Sequence, residues 1–363
     1  MVKVGIYLGS NTDDVSNIRN VLTTWVSTLS EASHEIDLIG GTNIPNTISS
    51  EVTLQDGPNI QARTPFGSII NSYSHVSQYI SKYSPDVLMQ LWKYQTHAPA
   101  VSLAGKKEGA PTVVRLTGNI FLEYQGYNLP FSAGIIVLDN VIGRVPLRTA
   151  SKIVALGPNL ETAALLRGAN EQEIHIIPPP MPDEELFSYQ ERDKEIRAEL
   201  DLEPDRPVAL YVGRISKQKG MEFLVSVIKK TLSQTSFQFV LVGSGSYQNK
   251  IRNQFSEEDV KLPGYIPRNQ IGKYYGAATV YVHPSRFEGL PLVILEALQS
   301  GTPVIAREAG DVGFVLDNMV TNEEEMSSRL IQRNWNELWR NKTFFTPEYQ
   351  RREITSLVED LVP

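Results

Sequence analysis

The chain reads as an α/β protein built from two doubly wound, Rossmann-like domains. Three observations predict this. Short, nearly continuous apolar runs alternate with longer segments of helical period, the pattern of parallel strands covered on both faces. The alternation halts at a proline cluster and then begins again. At 363 residues the chain is also too long for one ordinary core.

In chain order, strands are predicted at 4–8, 35–39, 87–90, 112–116, 153–156 and 175–177, with helices at 14–29, 66–83 and 160–167 between them. Pro178, Pro179, Pro180 and Pro182 follow. So many prolines cannot continue a helix or a central strand, so this stretch reads as an interdomain linker. The alternative is a stiff surface loop within one domain. Strands then return at 208–212, 237–242, 279–283 and 303–306, with helices at 221–232, 247–255, 270–276 and 291–299. Glu323, Glu324 and Glu325 suit the first turn of a further helix, where the helix dipole favours acids. Residues 347–361 have the pattern of a last amphipathic helix. The expected domains are 1–178, on the acceptor side, and 179–343, which binds the donor, with 344–363 packing back toward the first. Two such units in series imply a cleft between them, with ligands beyond the carboxyl ends of the strands.

Composition narrows the function. Net charge is −7, which argues against a nonspecific nucleic-acid binder but not against a small basic pocket. There is no cysteine, which excludes disulfides, thiolate catalysis and cysteine-bound zinc. The five histidines are scattered without metal-ligand spacing, and no metal or cofactor is expected. No signal peptide is visible and no apolar run approaches the roughly 20 residues of a membrane span. A cytoplasmic location is the expectation, with peripheral membrane contact left open.

Two segments carry the chemistry. In the first, a strand ends at Val212, Gly213 allows a sharp turn, and Arg214 and Lys219 precede a helix that starts after Gly220. Arginine grips phosphate with two prongs, lysine adds a mobile charge, and a helix start offers free amides to an anion. The alternative is a solvated basic turn. In the second, Glu288, Gly289, Leu290, Pro291 and Leu292 lead into a largely apolar helix that carries Glu296. Pro291 suits its first position and Gly301 its end. An acid on a buried helix needs a partner, either a structural hydrogen bond or a ligand hydroxyl. At about 1.5 Å per helical residue, the two glutamates would lie roughly 12 Å apart along the axis. Two weaker signals are the glycine turns Gly9-Ser10-Asn11 and Gly243-Ser244-Gly245, each directly after a strand.

Taken in order, Gly213-Arg214, Lys219-Gly220, Gly243-Ser244-Gly245, Leu262-Pro263-Gly264-Tyr265, Pro284-Ser285, Glu288-Gly289, Glu296-Ala297 and Gly301-Thr302-Pro303-Val304 resemble the motifs of family 4 glycosyltransferases. The resemblance is strong over 208–306, and it extends to Ile176-Ile177-Pro178 and Phe187. It implies the GT-B architecture, with two Rossmann-like domains facing across a cleft. It implies a retaining, metal-independent hexosyltransferase that uses a UDP- or GDP-sugar and a glycan, lipid-linked or small-molecule acceptor. Arg214 and Lys219 would neutralise the diphosphate, also in the transition state. Glu296 would bind the ribose hydroxyls. Glu288 and the amides from Gly289 to Leu292 would meet the transferred sugar and nearby phosphate. Tyr265 and Ile266 would line the base pocket, and Gly9, Ser10, Gly213 and Gly243 would approach the donor with their backbones.

The chain departs from the family pattern in places. Relatives carry a histidine soon after the fourth strand of the first domain; here Arg115, Thr117 or Asn119 substitutes, or the role is absent. His97, one segment earlier, is either a sugar contact or a structural histidine. Residues 308–313 only partly match a glycine-rich turn of the family. Trp92, Tyr94, Tyr124 and Tyr127 are either an acceptor platform or ordinary packing. Arg63, Lys106 and Lys107 bind an anionic acceptor or are simply solvated. Competing functions are a nucleotide-sugar binding protein without catalysis, suggested by the missing histidine, and other GT-B activities such as an epimerase or a phosphorylase.

Overall fold

A computed structural model describes residues 1–59, 64–118, 136–188, 194–335 and 339–362. It divides into two compact units, Met1–Pro180 with Thr343–Pro363, and Met181–Lys342. The division falls inside the proline cluster.

In the first unit, seven parallel strands are ordered β3-β2-β1-β4-β5-β6-β7. They are β1 (Lys3–Tyr7), β2 (Glu35–Ile39), β3 (Thr53–Gln55), β4 (Val87–Gln90), β5 (Thr112–Arg115), β6 (Lys152–Ala155) and β7 (Ile174–Ile176). The central strands are apolar on both faces because helices cover both. α1 (Arg19–Glu31) buries Leu22, Trp25, Val26 and Leu29 on one side. α2 (Pro65–Tyr83) and α3 (Tyr94–Glu108) pack beside each other and supply Val76, Tyr79, Val101 and Ala104 to a second cluster. Thr64 caps α2 by accepting from the Gly67 amide, and Pro65 opens the helix, where its missing N–H costs nothing.

The last helix, Pro347–Glu359, belongs to this unit. It packs on α1 and adds Ile354, Leu357 and Val358 to the core. Its Gln350 amide donates to the Pro178 carbonyl at 3.0 Å and the Tyr349 hydroxyl to the Ile176 carbonyl at 3.0 Å, which fastens it to the end of the first sheet.

The second unit has five parallel strands ordered β10-β9-β8-β11-β12. They are β8 (Val208–Val212), β9 (Gln238–Val242), β10 (Val260–Gly264), β11 (Val280–His283) and β12 (Val304–Ala306). β8 and β9 are buried at every residue. The Met221–Leu232 helix lays Phe223, Leu224, Val227 and Ile228 on this sheet. The acidic run begins the Glu323–Gln332 helix, capped by Asn322, as the sequence predicts.

Three expectations need correction. β3 and β10 are missing from the sequence reading, as is α3. The Leu292–Gln299 helix is not apolar-buried all round, since Leu292 remains 38% exposed. Pro291 is not its first residue but its cap, in an extended conformation with ψ 117°.

Candidate functional site

Each sheet reverses its strand order once, between β1 and β4 in the first unit and between β8 and β11 in the second. Loops that leave neighbouring strands in opposite directions open a crevice at such a point. Both candidate sites lie there, each within its own unit.

In the second unit, β8 ends at Val212, and Gly213 turns with φ +150° while its amide donates to the Val242 carbonyl at 3.0 Å. The chain runs through Arg214 to a short turn at Lys217–Lys219. Gly220 then sits so close to the loop after β11 that a β-carbon there would lie 2.3 Å from the Pro284 carbonyl oxygen. This tight approach brings Lys219 to Glu288, Nζ to Oε1 at 2.6 Å. Gly310, at φ +47°, backs the same spot, since a β-carbon there would meet the Glu288 carbonyl at 2.1 Å. The Asp311 amide donates to the Gly289 carbonyl at 2.8 Å. Residues 308–313, which only partly match the family pattern, thus form the floor behind Glu288 and Gly289.

Burial pushes the Glu288 carboxyl up, but nearby His283 and Lys219 and the Lys219 hydrogen bond outweigh it and hold it below the usual range. His283 Nε2 lies 3.8 Å from the same Oε1. Its own value is pushed down to about 4, chiefly by burial. His283 is therefore neutral at physiological pH, and Lys219 is the cation that keeps Glu288 charged there. Arg214 is exposed, with its backbone carbonyl accepting from the Tyr211 hydroxyl at 2.9 Å.

Glu296 lies on the Leu292–Gln299 helix and Glu288 on the loop before it. The expected axial spacing therefore does not apply, because only the stretch from Leu292 onward is helical. Glu296 is 3% exposed. Its Oε1 accepts from Arg268 Nη1 at 2.8 Å and its Oε2 from the Tyr275 hydroxyl at 3.1 Å. Arg268 opens the Arg268–Ala277 helix, just after Tyr265, which is 76% exposed, and Ile266, which is half-buried. The Gly243 amide is taken by the Gly264 carbonyl at 2.7 Å, which ties the loop after β9 to the end of β10.

In the first unit a cavity of about 450 Å³ lies at the switch point, with Ser10, Asp13, Asn71, Lys93, Gln95 and His97 in its lining. Gly9, at φ +113°, lets β1 run straight into it; a β-carbon there would lie 2.2 Å from Asp13 Oδ2 and 2.9 Å from His97. Asp13 accepts from the Ser10 amide at 2.8 Å and from Lys93 Nζ at 2.5 Å. Lys93 adopts the left-handed conformation, φ 50°, a strain of about 1 kcal/mol that its contacts to Asp13 and the Trp92 ring offset. The Ser10 and Asn11 amides, for which a phosphate or the transferred sugar was the expected partner, are committed to Asp13 and to the Pro58 carbonyl. The buried carboxylate supplies the negative charge that a ligand was expected to bring.

His97 is 2% exposed and its Nδ1 makes no hydrogen bond. Burial, seconded by Lys93, pushes it down to about 3, so it is a neutral ring, packed edge-on to Tyr7 and Trp92. Arg115 does not reach an open site. It is 5% exposed, and Nη1 donates to the Leu91 carbonyl at 3.3 Å. Burial lowers it to about 10. Thr117 is exposed. Trp92 and Tyr94 are buried, with polar atoms on the Leu8 and Gly143 carbonyls, so they are packing and not an open platform. Asn119, Arg63, Tyr124 and Tyr127 lie outside the described residues.

The sequence reading missed Asp13, Lys93, Arg268, Tyr275 and His283. A signal existed for Asp13 and Lys93, since each follows a strand at the switch point. Among the described residues no group of His, Asp or Glu is placed to hold a metal ion. Among the described residues no helix is long and apolar enough to cross a membrane.

Asp13→Asn is expected to lower stability by about 1–3 kcal/mol at neutral pH, because a paired buried carboxylate is lost. Burial pushes the Asp13 carboxyl up, yet Lys93 and the Ser10 amide outweigh this and hold it below 3.8. Its contribution is therefore complete above the unfolded value and fades as pH falls through the lowered native one. Urea unfolding of both proteins at pH 7 and about pH 3 checks this. An equal gap at both pH values would refute it.

Residues 192–322 match the family described as glycosyl transferases group 1. The chain carries a group 1 glycosyltransferase domain. Among curated relatives, it is 35% identical over 135 residues to the sulfoquinovosyl transferase SQD2 of Arabidopsis thaliana, covering 37% of this chain and 26% of that one. It is 32% identical over 165 residues to the putative teichuronic acid biosynthesis glycosyltransferase TuaC of Bacillus subtilis, covering 45% and 40%. The chain thus spans well under half the length of these curated relatives. Sucrose-phosphate synthase from Thermosynechococcus elongatus superposes with a TM-score of 0.69 at 20% identity, over 99% of this chain and 96% of that one. Anabaena Alr3699/HepE in complex with UDP-glucose does so with 0.65 at 16% identity, over 99% and 98%. At such identity the likeness concerns the fold: two Rossmann-like domains of GT-B type.

Proposed function

We propose that this chain is a retaining glycosyltransferase that moves a hexose-type sugar from a nucleoside-diphosphate sugar to a hydroxylated acceptor, without a metal ion. The observation that carries the reading is the Lys219–Glu288 pair at the switch point of the second sheet, with Lys219 on the same loop as exposed Arg214. A lysine ammonium has three N–H donors. One is used on Glu288 and two are left for phosphate oxygens. Arg214 adds a two-pronged grip, so negative charge growing on the departing diphosphate meets fixed cations. Glu288 stands nearest the transferred sugar, and the attacking hydroxyl enters on the face from which the diphosphate leaves. Glu296 takes the ribose. UDP is the first nucleotide to test, because the structurally similar HepE is described with UDP-glucose.

The first-unit cavity takes part of the acceptor. Besides Pro58 and Pro65, its lining consists of hydroxyls, amides, a neutral histidine and one internally paired ion pair, which suits an uncharged polyol better than a strongly anionic group.

Thermal unfolding with UDP, GDP and ADP tests the donor side. UDP at 100 times its dissociation constant should stabilise the protein by about 2.7 kcal/mol, seen as a higher melting temperature. No shift with any nucleoside diphosphate would end the reading. On the acceptor side, Asp13→Asn should raise the acceptor KM and leave UDP affinity unchanged.

A further inference from the structure

The proposal below rests on the donor reading above and concerns a residue to which that reading gives no role. Glu296 is almost fully buried, and a carboxylate in that position binds a ribose well only if it is ionised and correctly turned. Both requirements are met from one neighbouring helix. Arg268 Nη1 holds Oε1 at 2.8 Å, and the Tyr275 hydroxyl holds Oε2 at 3.1 Å. The single Tyr275 hydroxyl proton is shared between that oxygen and the Val293 carbonyl at 3.2 Å, and the Tyr275 ring packs edge-on with Phe187, their centres 6.0 Å apart. The guanidinium of Arg268 lies 5.4 Å from the centre of the Phe187 ring. Arg268 is about half exposed while Glu296 is not, at 48% and 4% of their side chains, so the arginine forms the solvent side of the pair.

An ionised carboxylate offers about four acceptor positions, two on each oxygen. Arg268 and Tyr275 occupy one on each. One position per oxygen is left over, which matches the two hydroxyls of a cis-diol. We propose that Arg268 is a positioning residue for the donor ribose, holding Glu296 ionised and oriented so that its two remaining acceptor positions receive the 2′- and 3′-hydroxyls.

Among the described residues, the surroundings of Glu296 offer no substitute for Arg268 as the cation. The titratable groups around Glu296 are Arg268 and Tyr275 on one helix and Tyr281 on β11, with Glu184 farther along accepting from Gln299. Apart from Arg268, these are two tyrosines kept neutral by burial and another acid. Burial already pushes the Glu296 carboxyl above its usual range, against the pull of Arg268 and Tyr275. Without the guanidinium it moves farther up and takes a proton closer to neutral pH. A protonated carboxyl uses one oxygen as a donor and can no longer serve both hydroxyls as an acceptor.

The test is UDP binding by calorimetry to wild type, Arg268→Gln and Arg268→Lys at about pH 6 and about pH 8.5, ten-fold changes being on the scale of one pKa unit. The expected result is a loss of about tenfold in Arg268→Gln at the lower pH, largely recovered at the higher pH, with Arg268→Lys close to wild type at both. Adding Glu296→Gln to Arg268→Gln should abolish the pH dependence. Wild-type affinity in Arg268→Gln at the lower pH overturns the proposal, and so does a loss equal at both pH values. The ribose reading itself is tested separately, with 2′-deoxyuridine diphosphate on wild type. If wild type binds it as tightly as UDP, the role of Glu296 fails; if wild type discriminates and the arginine variants behave like wild type, only the role of Arg268 fails.

Discussion

Lys219→Ala is expected to slow sugar transfer by about a thousandfold, on the scale known for removal of one fixed donor aimed at developing charge. The expectation follows from two contacts made by one side chain. Lys219 neutralises Glu288 at 2.6 Å in the free protein and has donors left for a diphosphate in the complex. Its loss removes a cation where the leaving group gathers charge. It also leaves Glu288 buried beside a histidine that burial keeps neutral. Burial raises the Glu288 carboxyl and Lys219 is among the groups that lower it, so it should titrate higher in the variant than in the wild type. Any residual activity should therefore fall off with acid at a higher pH than the wild type's does. Stability should fall only by about 1–3 kcal/mol, the cost of one unpaired buried group. Steady-state release of nucleoside diphosphate gives the rate, and urea unfolding separates it from folding. Lys219→Arg should recover part of the rate. A Lys219→Ala enzyme within threefold of wild type would remove the diphosphate role.

The residues that meet at the candidate site of the second unit were legible in the sequence because their signals are local. Gly213, Gly220 and Pro291 mark strand ends and helix starts within a few residues of Arg214, Lys219 and Glu288. The pairings were not legible. Lys219 meets Glu288 across 69 positions, and Asp13 meets Lys93 across 80. Only the strand order brings them together, since β1 lies beside β4 and β8 beside β11. Edge strands escaped for a different reason. β3 has two of its three residues exposed, and β10 is buried only at Val260 and contains Pro263, so neither shows the apolar run of a central strand. α3 escaped because Pro99 lies within it and no side chain caps it; a left-handed Lys93 starts it instead. The Arg268–Glu296 pair escaped because an arginine after Tyr265-Ile266-Pro267 reads as a solvated helix start. Only in the fold does it come to cover a buried acid.

The backbone beneath the candidate site of the second unit should be as sensitive as its charges. Gly243→Ala is expected to destabilise the protein by about 3 kcal/mol and to weaken nucleotide binding beyond what that loss explains. Gly243 has φ +130°, a region that residues with a side chain rarely enter. A β-carbon there would lie 1.9 Å from the Gly213 carbonyl oxygen, and that obstacle is backbone, which cannot swing aside. The neighbouring hydrogen bonds oppose a retreat. The Gly213 amide is held by the Val242 carbonyl at 3.0 Å, and the Gly243 amide by the Gly264 carbonyl at 2.7 Å. The strain must therefore pass into the loop that begins at Gly213 and carries Arg214 and Lys219. Gly264→Ala is the control. It too has a positive φ, +86°, but no atom lies within 4 Å of the added carbon. It should cost only the conformational penalty, about 1 kcal/mol, and leave the loop after β8 in place. Urea unfolding and UDP calorimetry on both variants separate the two contributions. Equal losses of stability and affinity in the two would mean that backbone conformation alone is responsible, and that the contact between the loops after β8 and β9 does not hold the diphosphate site in shape.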